Sequence, residues 1–231
     1  MQKRIVVLTG AGISAESGIK TFRDDNGMWK QYRFEEVASP EAWHKHPEVV
    51  LDFYNQRRKN VVEAEPNAAH KALVKLEDYF DVKIITQNVD DLHERAGSSD
   101  VIHLHGEIRK ARSSNDPRLI YPIKGWQLNM GDKGEDGEQL RPHVVWFGEP
   151  VPYIEPAMEI TREADILLIV GTSLNVYPAA SLFQYASKKI PKFYVDPDAN
   201  AEIQIPNLKI MKEKAGSALP DLVPHLIDNY M

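Results

Sequence analysis

Apolar residues gather along this chain in short unbroken runs: RIVVL (4–8), VKIIT (82–86), ADILLIVG (164–171), KFYVD (192–196) and LKIM (208–211). Runs of that length, with no polar alternation, predict strands buried on both faces of a parallel sheet. Between them the apolar spacing changes to that of a helix. After Pro66 the positions Ala69, Leu73, Leu76 and Phe80 form one stripe, and further helices are expected over 178–189 and 219–229. Strands alternating with helices predict an α/β fold, a doubly wound, Rossmann-like parallel sheet. Two stretches break the rhythm. Residues 24–62 read as helical and aromatic-rich without a strand, and residues 106–141 are polar, with glycines at 125, 131, 134 and 137. Both are expected to be insertions forming a smaller module. One domain over 1–231 would then have a large part of about 1–23, 63–105 and 142–231. GDKGEDGEQ (131–139) reads as an exposed loop, and no internal repeat is found.

One helical stripe is unusual. Val50, Tyr54, Arg57 and Val61 lie four, three and four residues apart, which is one helical face. A phenol and a guanidinium therefore stand where burial is expected. Read as an arbitrary helix, this stripe would have Arg57 snorkelling or paired with an acidic side chain.

Composition narrows the classes. The chain has 231 residues, 42% hydrophobic, enough for one substantial core with a small appendage. A formal charge of -6 and a pI near 5.8 argue against a nucleic-acid binder. The absence of cysteine excludes disulfides and thiolate metal sites, although His and carboxylate ligands remain available to a metal. No run approaches the ~20 apolar residues of a membrane span. The opening MQKRIVVLTG is too short an apolar run for a signal peptide, so a cytoplasmic location is expected.

The candidate chemistry sits at strand ends. In VVLTGAGISAESG, Gly10, Gly12 and Ala15 match a dinucleotide fingerprint that should lead into a helix whose N-terminus favours a diphosphate. The acidic residue that a hydride-transfer enzyme places at the end of a second strand about 20 residues on is missing. A dinucleotide is expected and hydride transfer is not. ITQNVDD sets Gln87, Asn88 and Asp90 after a strand; VGTS does the same with Gly171, Thr172 and Ser173, and YVDPD with Asp196. Each alone could be turn chemistry, but four polar strand ends suit one crevice. In VIHLHGE, His103 and His105 would share a face in a strand and diverge in a turn. Two histidines are too few for a metal, whereas one in a cleft could be a general base.

Taken together and in order, GAGISAESGIKTFR, TQNVDDLHERAG, LHGE, LRPHVVWFGE and VGTSLNVYPAA resemble the sirtuin family of NAD-dependent protein lysine deacylases over nearly the whole chain. The resemblance implies NAD as cofactor and acyl-lysine proteins or peptides as partners, with no role for nucleic acid or membrane. It implies that Gly10, Ala11, Gly12, Ile13 and Ser14, with Phe22 and Arg23, line the NAD site. Gln87, Asn88 and Asp90 would surround the nicotinamide and its ribose. Gly171, Thr172, Ser173 and Asp196 would serve phosphate and ribose, and Lys214, Ala215 and Gly216 the adenine end. His105 falls on the catalytic base. Val145, Phe147, Gly148 and Glu149 match the strand that receives the peptide. The implied reaction begins with attack of the acyl oxygen on the nicotinamide ribose, expelling nicotinamide. His105 then deprotonates a ribose hydroxyl, which attacks the linked acyl carbon, giving free lysine and O-acyl-ADP-ribose.

The same resemblance sets Tyr54 and Arg57 beside the acyl pocket, where a Tyr-x-x-Arg pair marks the class accepting succinyl or malonyl groups. Two departures stand out. The family's zinc is held by two Cys-x-x-Cys pairs, of which the first falls here on Ser113 and Asp116 and the second on GDKGEDGEQLRP. No metal is therefore expected, and Trp126, Leu119, Ile120 and Tyr121 are the candidates to replace it by packing. The strand-end asparagine of the family is Asp196. A non-catalytic ADP-ribose-binding module and an ADP-ribosyl transferase are the competing readings. Nicotinamide release with an acyl-lysine peptide separates the first, and the mass of the acceptor the second.

Overall fold

The computed structural model describes residues 2–20 and 33–231, with Phe34 through its backbone alone. Six strands form one sheet in the order β3-β2-β1-β7-β8-β9: β1 (Arg4–Thr9), β2 (Asp81–Thr86), β3 (Val101–His103), β7 (Ile166–Val170), β8 (Lys192–Val195) and β9 (Leu208–Met211). Every pairing is parallel, with Ile5 opposite Val82 on one side and Ile166 on the other. The period of two along a strand sorts its side chains between two cores. Ile5, Val7, Leu168 and Val170 face α4 (Ala68–Leu76) and α7 (Ala215–Tyr230), meeting Leu73, Leu76, Leu219 and Leu226. Val6, Leu8, Leu167 and Ile169 face the opposite way, toward Ala157 of α6 (Ile154–Arg162) and Leu182. Both faces are covered, which is why these strands carry no polar alternation.

The helix expected over 178–189 is a shorter 3-10 segment, Ala179–Tyr185, whereas the last helix is longer than expected and contains Pro220 and Pro224. Residues 106–141, which showed no periodicity, supply most of a second sheet. Here β4 (Gly106–Ser113) lies between β5 (Ile120–Pro122) and β6 (Leu140–Val144), all antiparallel. Short α1 (Phe34–Val37) and α2 (Pro40–Lys45) lead into α3 (Pro47–Glu63), which packs Val50, Phe53, Tyr54 and Val61 against Ile108, Val144 and Trp146. A further small cluster joins Leu51, Ala111, Ile123, Leu128 and Leu140. Of the four side chains expected to fill the metal-free module, only Tyr121 packs against that cluster, while Ile120 is exposed. Among the described residues no helix is long and apolar enough to cross a membrane. α5 (Leu92–Ala96) follows β2 and ends on Gly97.

Candidate active site

From β1 the chain builds outward through β2 and β3 in one direction, and β7, β8 and β9 extend the sheet in the other. The strand order thus reverses between β1 and β7, where α/β sheets open a crevice at the carboxyl ends of their strands. A cavity of about 520 Å³ lies there. Gly10, Ala11 and Gly12 line it after β1, Gln87, Asn88 and Asp90 after β2, Gly171, Thr172 and Ser173 after β7, and Asp196 after β8. His105, Tyr54, Arg57, Val145, Phe147, Gly148 and Glu149 complete the wall.

The loops after β1 and β7 touch through backbone. Gly10 N–H donates to Val170 O at 3.0 Å and Gly12 N–H to Gly171 O at 2.8 Å. Gly171 has φ +63°, and a Cβ there would lie 2.3 Å from Ile13 N, so only glycine fits. The fingerprint loop does not lead into the α-helix expected of it. It closes as two 3-10 turns, Ala11–Ile13 and Ala15–Ser17, so no helix N-terminus from this loop is available to a diphosphate among the described residues. Ile13 turns into the core instead of the cavity. Ser14 is fully buried; its hydroxyl donates to Asp90 Oδ2 and accepts from Asn88 Nδ2, each at 3.1 Å. Ser14 therefore holds the loops after β1 and β2 together. Burial pushes the Asp90 carboxyl up, against the opposing effects of the Leu92 N–H and the Ser14 hydroxyl. Ala215 is buried in the core at the start of α7 and does not line the cavity, and the Gly216 N–H is taken by Glu16 Oε2 at 2.7 Å. Phe22 and Arg23 lie outside the described residues.

The two histidines diverge. His105 sits in the turn between the two sheets, ahead of Gly106, whose φ is +80° and whose Cβ would meet His143 O at 2.2 Å. Its Nδ1 is 3.0 Å from Gln87 O, an acceptor, so Nδ1 carries the proton and Nε2 the lone pair. Burial lowers its pKa, with the Gln87 carbonyl opposing, so the ring is a neutral proton acceptor near pH 7. His103 turns inward. Its Nδ1 lies 2.9 Å from Asn88 O and its Nε2 2.7 Å from Glu94 Oε1, so both nitrogens face acceptors. Burial opposes its charge, but the Glu94 carboxylate outweighs burial and raises its pKa. His103 thus ties β3 to α5, more strongly when protonated.

At the other end of the cavity α3 presents Tyr54 and Arg57 one turn apart, with Asn60 beyond them. Tyr54 is buried and Arg57 half-buried, its guanidinium 5.8 Å from the Tyr54 ring centre. Burial lowers the Arg57 pKa, against the charges of Tyr54 and Asp90. The segment expected to be a peptide-receiving strand is not one: β6 ends at Val144, and Phe147 and Gly148 form a turn. Val145 N–H reaches back to His105 O at 2.9 Å. Glu149 is anchored by Arg141 at 2.7 Å, Arg112 at 3.1 Å and the Trp146 N–H at 2.8 Å. Burial would raise its pKa, and these donors lower it instead. Trp146 itself gave no signal in the sequence, since a tryptophan in an apolar stretch reads as core.

The zinc positions do not fit a metal. Ser113 Oγ donates to Asp136 Oδ2 at 2.5 Å and accepts the N–H groups of Asn115 and Asp116, whose carboxylate is held by Arg118. Among the described residues no three His, Cys, Asp or Glu side chains are grouped to hold an ion.

The Sir2 family model matches residues 10–178. An NAD-dependent protein deacylase of Helicobacter pylori is 54% identical over 228 residues, covering 98% of each chain. One of Bacteroides thetaiotaomicron is 48% identical over 230 residues, covering 97% of this chain and 98% of its own. Among solved structures, a Sir2 homologue in complex with NAD is 41% identical with a TM-score of 0.87, covering 98% of this chain and 90% of that one. A Sir2 protein with a deacetylated p53 peptide and 3'-O-acetyl ADP-ribose is 29% identical with a TM-score of 0.82, covering 99% and 94%.

Proposed function

Because the chain belongs to the Sir2 family, we propose that it removes succinyl or malonyl groups from protein lysines in preference to acetyl groups. It is an NAD-dependent protein deacylase and uses NAD as co-substrate. The preference is carried by one observation: Tyr54 and Arg57 line the same cavity as His105. A succinyl or malonyl chain ends in a carboxylate one or two methylenes beyond the amide. Arg57 meets such a group with two parallel N–H donors, and the phenol adds a third one turn away. An acetyl group offers the guanidinium no carboxylate, so the charge-assisted contact that favours the acidic chains is not made. Arg57 is only half-buried, so acetyl-lysine is turned over more slowly rather than refused.

Gly10, Ala11, Gly12, Gln87, Asn88, Asp90, Gly171, Thr172, Ser173 and Asp196 are the residues that would hold NAD, with Ile13, Ser14 and Ala215 supporting them from behind. When bound, NAD supplies the ribose carbon that accepts the acyl oxygen as nicotinamide leaves. His105 Nε2 then takes the proton of a ribose hydroxyl, its Nδ1–H kept on Gln87 O throughout. Val145, Phe147 and Gly148 form the wall that would face the peptide, and Glu149 fixes that segment through Arg141 and Arg112. The test is a panel of succinyl-, malonyl- and acetyl-lysine peptides with NAD. The acidic substrates are expected to exceed acetyl in kcat/KM by about tenfold or more, the value of one charge-assisted contact.

A further inference from the structure

Tyr54 makes its hydroxyl contact in an uncommon direction. The indole Nε1 of Trp146 lies 3.0 Å from Tyr54 Oη. Indole nitrogen only donates, so the phenol oxygen is the acceptor and its own proton must go elsewhere. Among the described residues no acceptor receives that proton, although Tyr54 is 1% exposed and lines the cavity. Trp146 is equally buried and firmly held. Arg141 stacks on its indole with the guanidinium carbon 3.2 Å from the ring centre, Trp43 packs at 5.9 Å, and Glu149 accepts its backbone N–H. The donor is therefore fixed before any substrate arrives.

We propose that Trp146 is a positioning residue for acyl-chain selectivity: by donating to Tyr54 Oη it commits the phenol proton to the cavity, where a substrate carboxylate accepts it. This rests on the acidic-acyl reading above. With one acceptor site filled by Trp146, the O–H is restricted to the remaining directions, of which the cavity offers a place for an anion to accept it. An acetyl group has no oxygen at that depth, so the arrangement discriminates rather than merely binds.

The test is a double-mutant cycle on the ratio of kcat/KM for succinyl- over acetyl-lysine peptide. Trp146→Phe keeps an aromatic ring under Arg141 and removes the donor. It should lower that ratio about three- to tenfold, less than or equal to the loss from Tyr54→Phe, with the change in KM for the succinyl peptide. In the Tyr54→Phe background, Trp146→Phe should change the ratio by less than about twofold, because it acts only through the phenol. Replacing Trp146 by its benzothiophene isostere, which keeps the volume and lacks the N–H, should reproduce the loss even if the phenylalanine variant folds poorly. Equal losses on both peptides, or an undiminished ratio in the isostere, overturn the proposal while the wild-type preference stands. A wild-type ratio near one overturns the acidic-acyl reading and this proposal with it.

Discussion

His105 shows how one hydrogen bond sets a chemical role. With Nδ1–H on Gln87 O, the ring offers Nε2 as a base, and burial keeps it unprotonated at neutral pH. Lowering its pKa moves the acid limb of activity below the ordinary histidine value of about 6.5. The acid limb of turnover should therefore have its midpoint below pH 6.5, and a midpoint above it would contradict the assignment. His105→Ala should abolish deacylation yet leave NAD affinity within about tenfold, roughly 1.4 kcal/mol. A variant that keeps near-normal turnover would falsify the assignment. Residue types at strand ends made this site legible in the sequence: Gly10, Gln87, Asn88, Gly171 and Asp196 all reach the cavity. Arg58 was not legible. It stands outside the apolar stripe of α3, yet it is fully buried, donating to Ile108 O, Asn55 Oδ1 and Trp126 O. Two of those acceptors come from distant segments, and periodicity along one helix carries no information about them.

At the scale of elements, the parallel strands were readable because burial on both faces leaves an unbroken apolar run. The small sheet was hidden for the opposite reason. Its strand β5 is largely exposed and its polar turns are held by side chains such as Ser113, Asp136 and Tyr121, so no alternation marks it. Those contacts also occupy the positions where the family's thiolates would converge. If they hold the module by themselves, a strong chelator should leave the melting temperature unchanged and elemental analysis should find substoichiometric metal. A tightly retained, stoichiometric ion would contradict this. The loop after β1 teaches a related lesson. Its glycines read as a phosphate fingerprint, but close contact with Gly171 folds it into 3-10 turns rather than a helix, a tertiary effect that no local pattern announces.

Across the whole molecule, buried histidines contribute to the response to acid. His70 and His93 are fully buried and stand ring to ring at 5.0 Å. Burial lowers His70 to about 4 and holds His93 well below its usual value. An unfolded histidine titrates near 6.5, so between there and about 4 the unfolded chain binds more protons. Stability from these two residues is complete above pH 6.5 and is lost as the pH falls toward 4. His103 runs the other way: its raised pKa contributes below 6.5 and fades as the pH rises through the folded value. His70 Nδ1 accepts the Asn67 N–H in a capping box, a role glutamine can fill. His70→Gln should therefore keep the helix cap and make the fall in melting temperature between pH 6.5 and 4 shallower. An unchanged slope would assign acid lability elsewhere.

The central claim is that one cavity joins NAD chemistry to recognition of an acidic acyl chain. The most direct measurement compares kcat/KM for succinyl- and acetyl-lysine peptides in the wild type and in Arg57→Met, which keeps an unbranched apolar stem and removes the charged guanidinium. The account predicts a wild type that favours succinyl, and a variant that loses desuccinylation by about 10²-fold, the equivalent of a charge-assisted pair worth ~3 kcal/mol, while deacetylation changes little. Equal losses on both substrates would make Arg57 a structural residue and contradict the account.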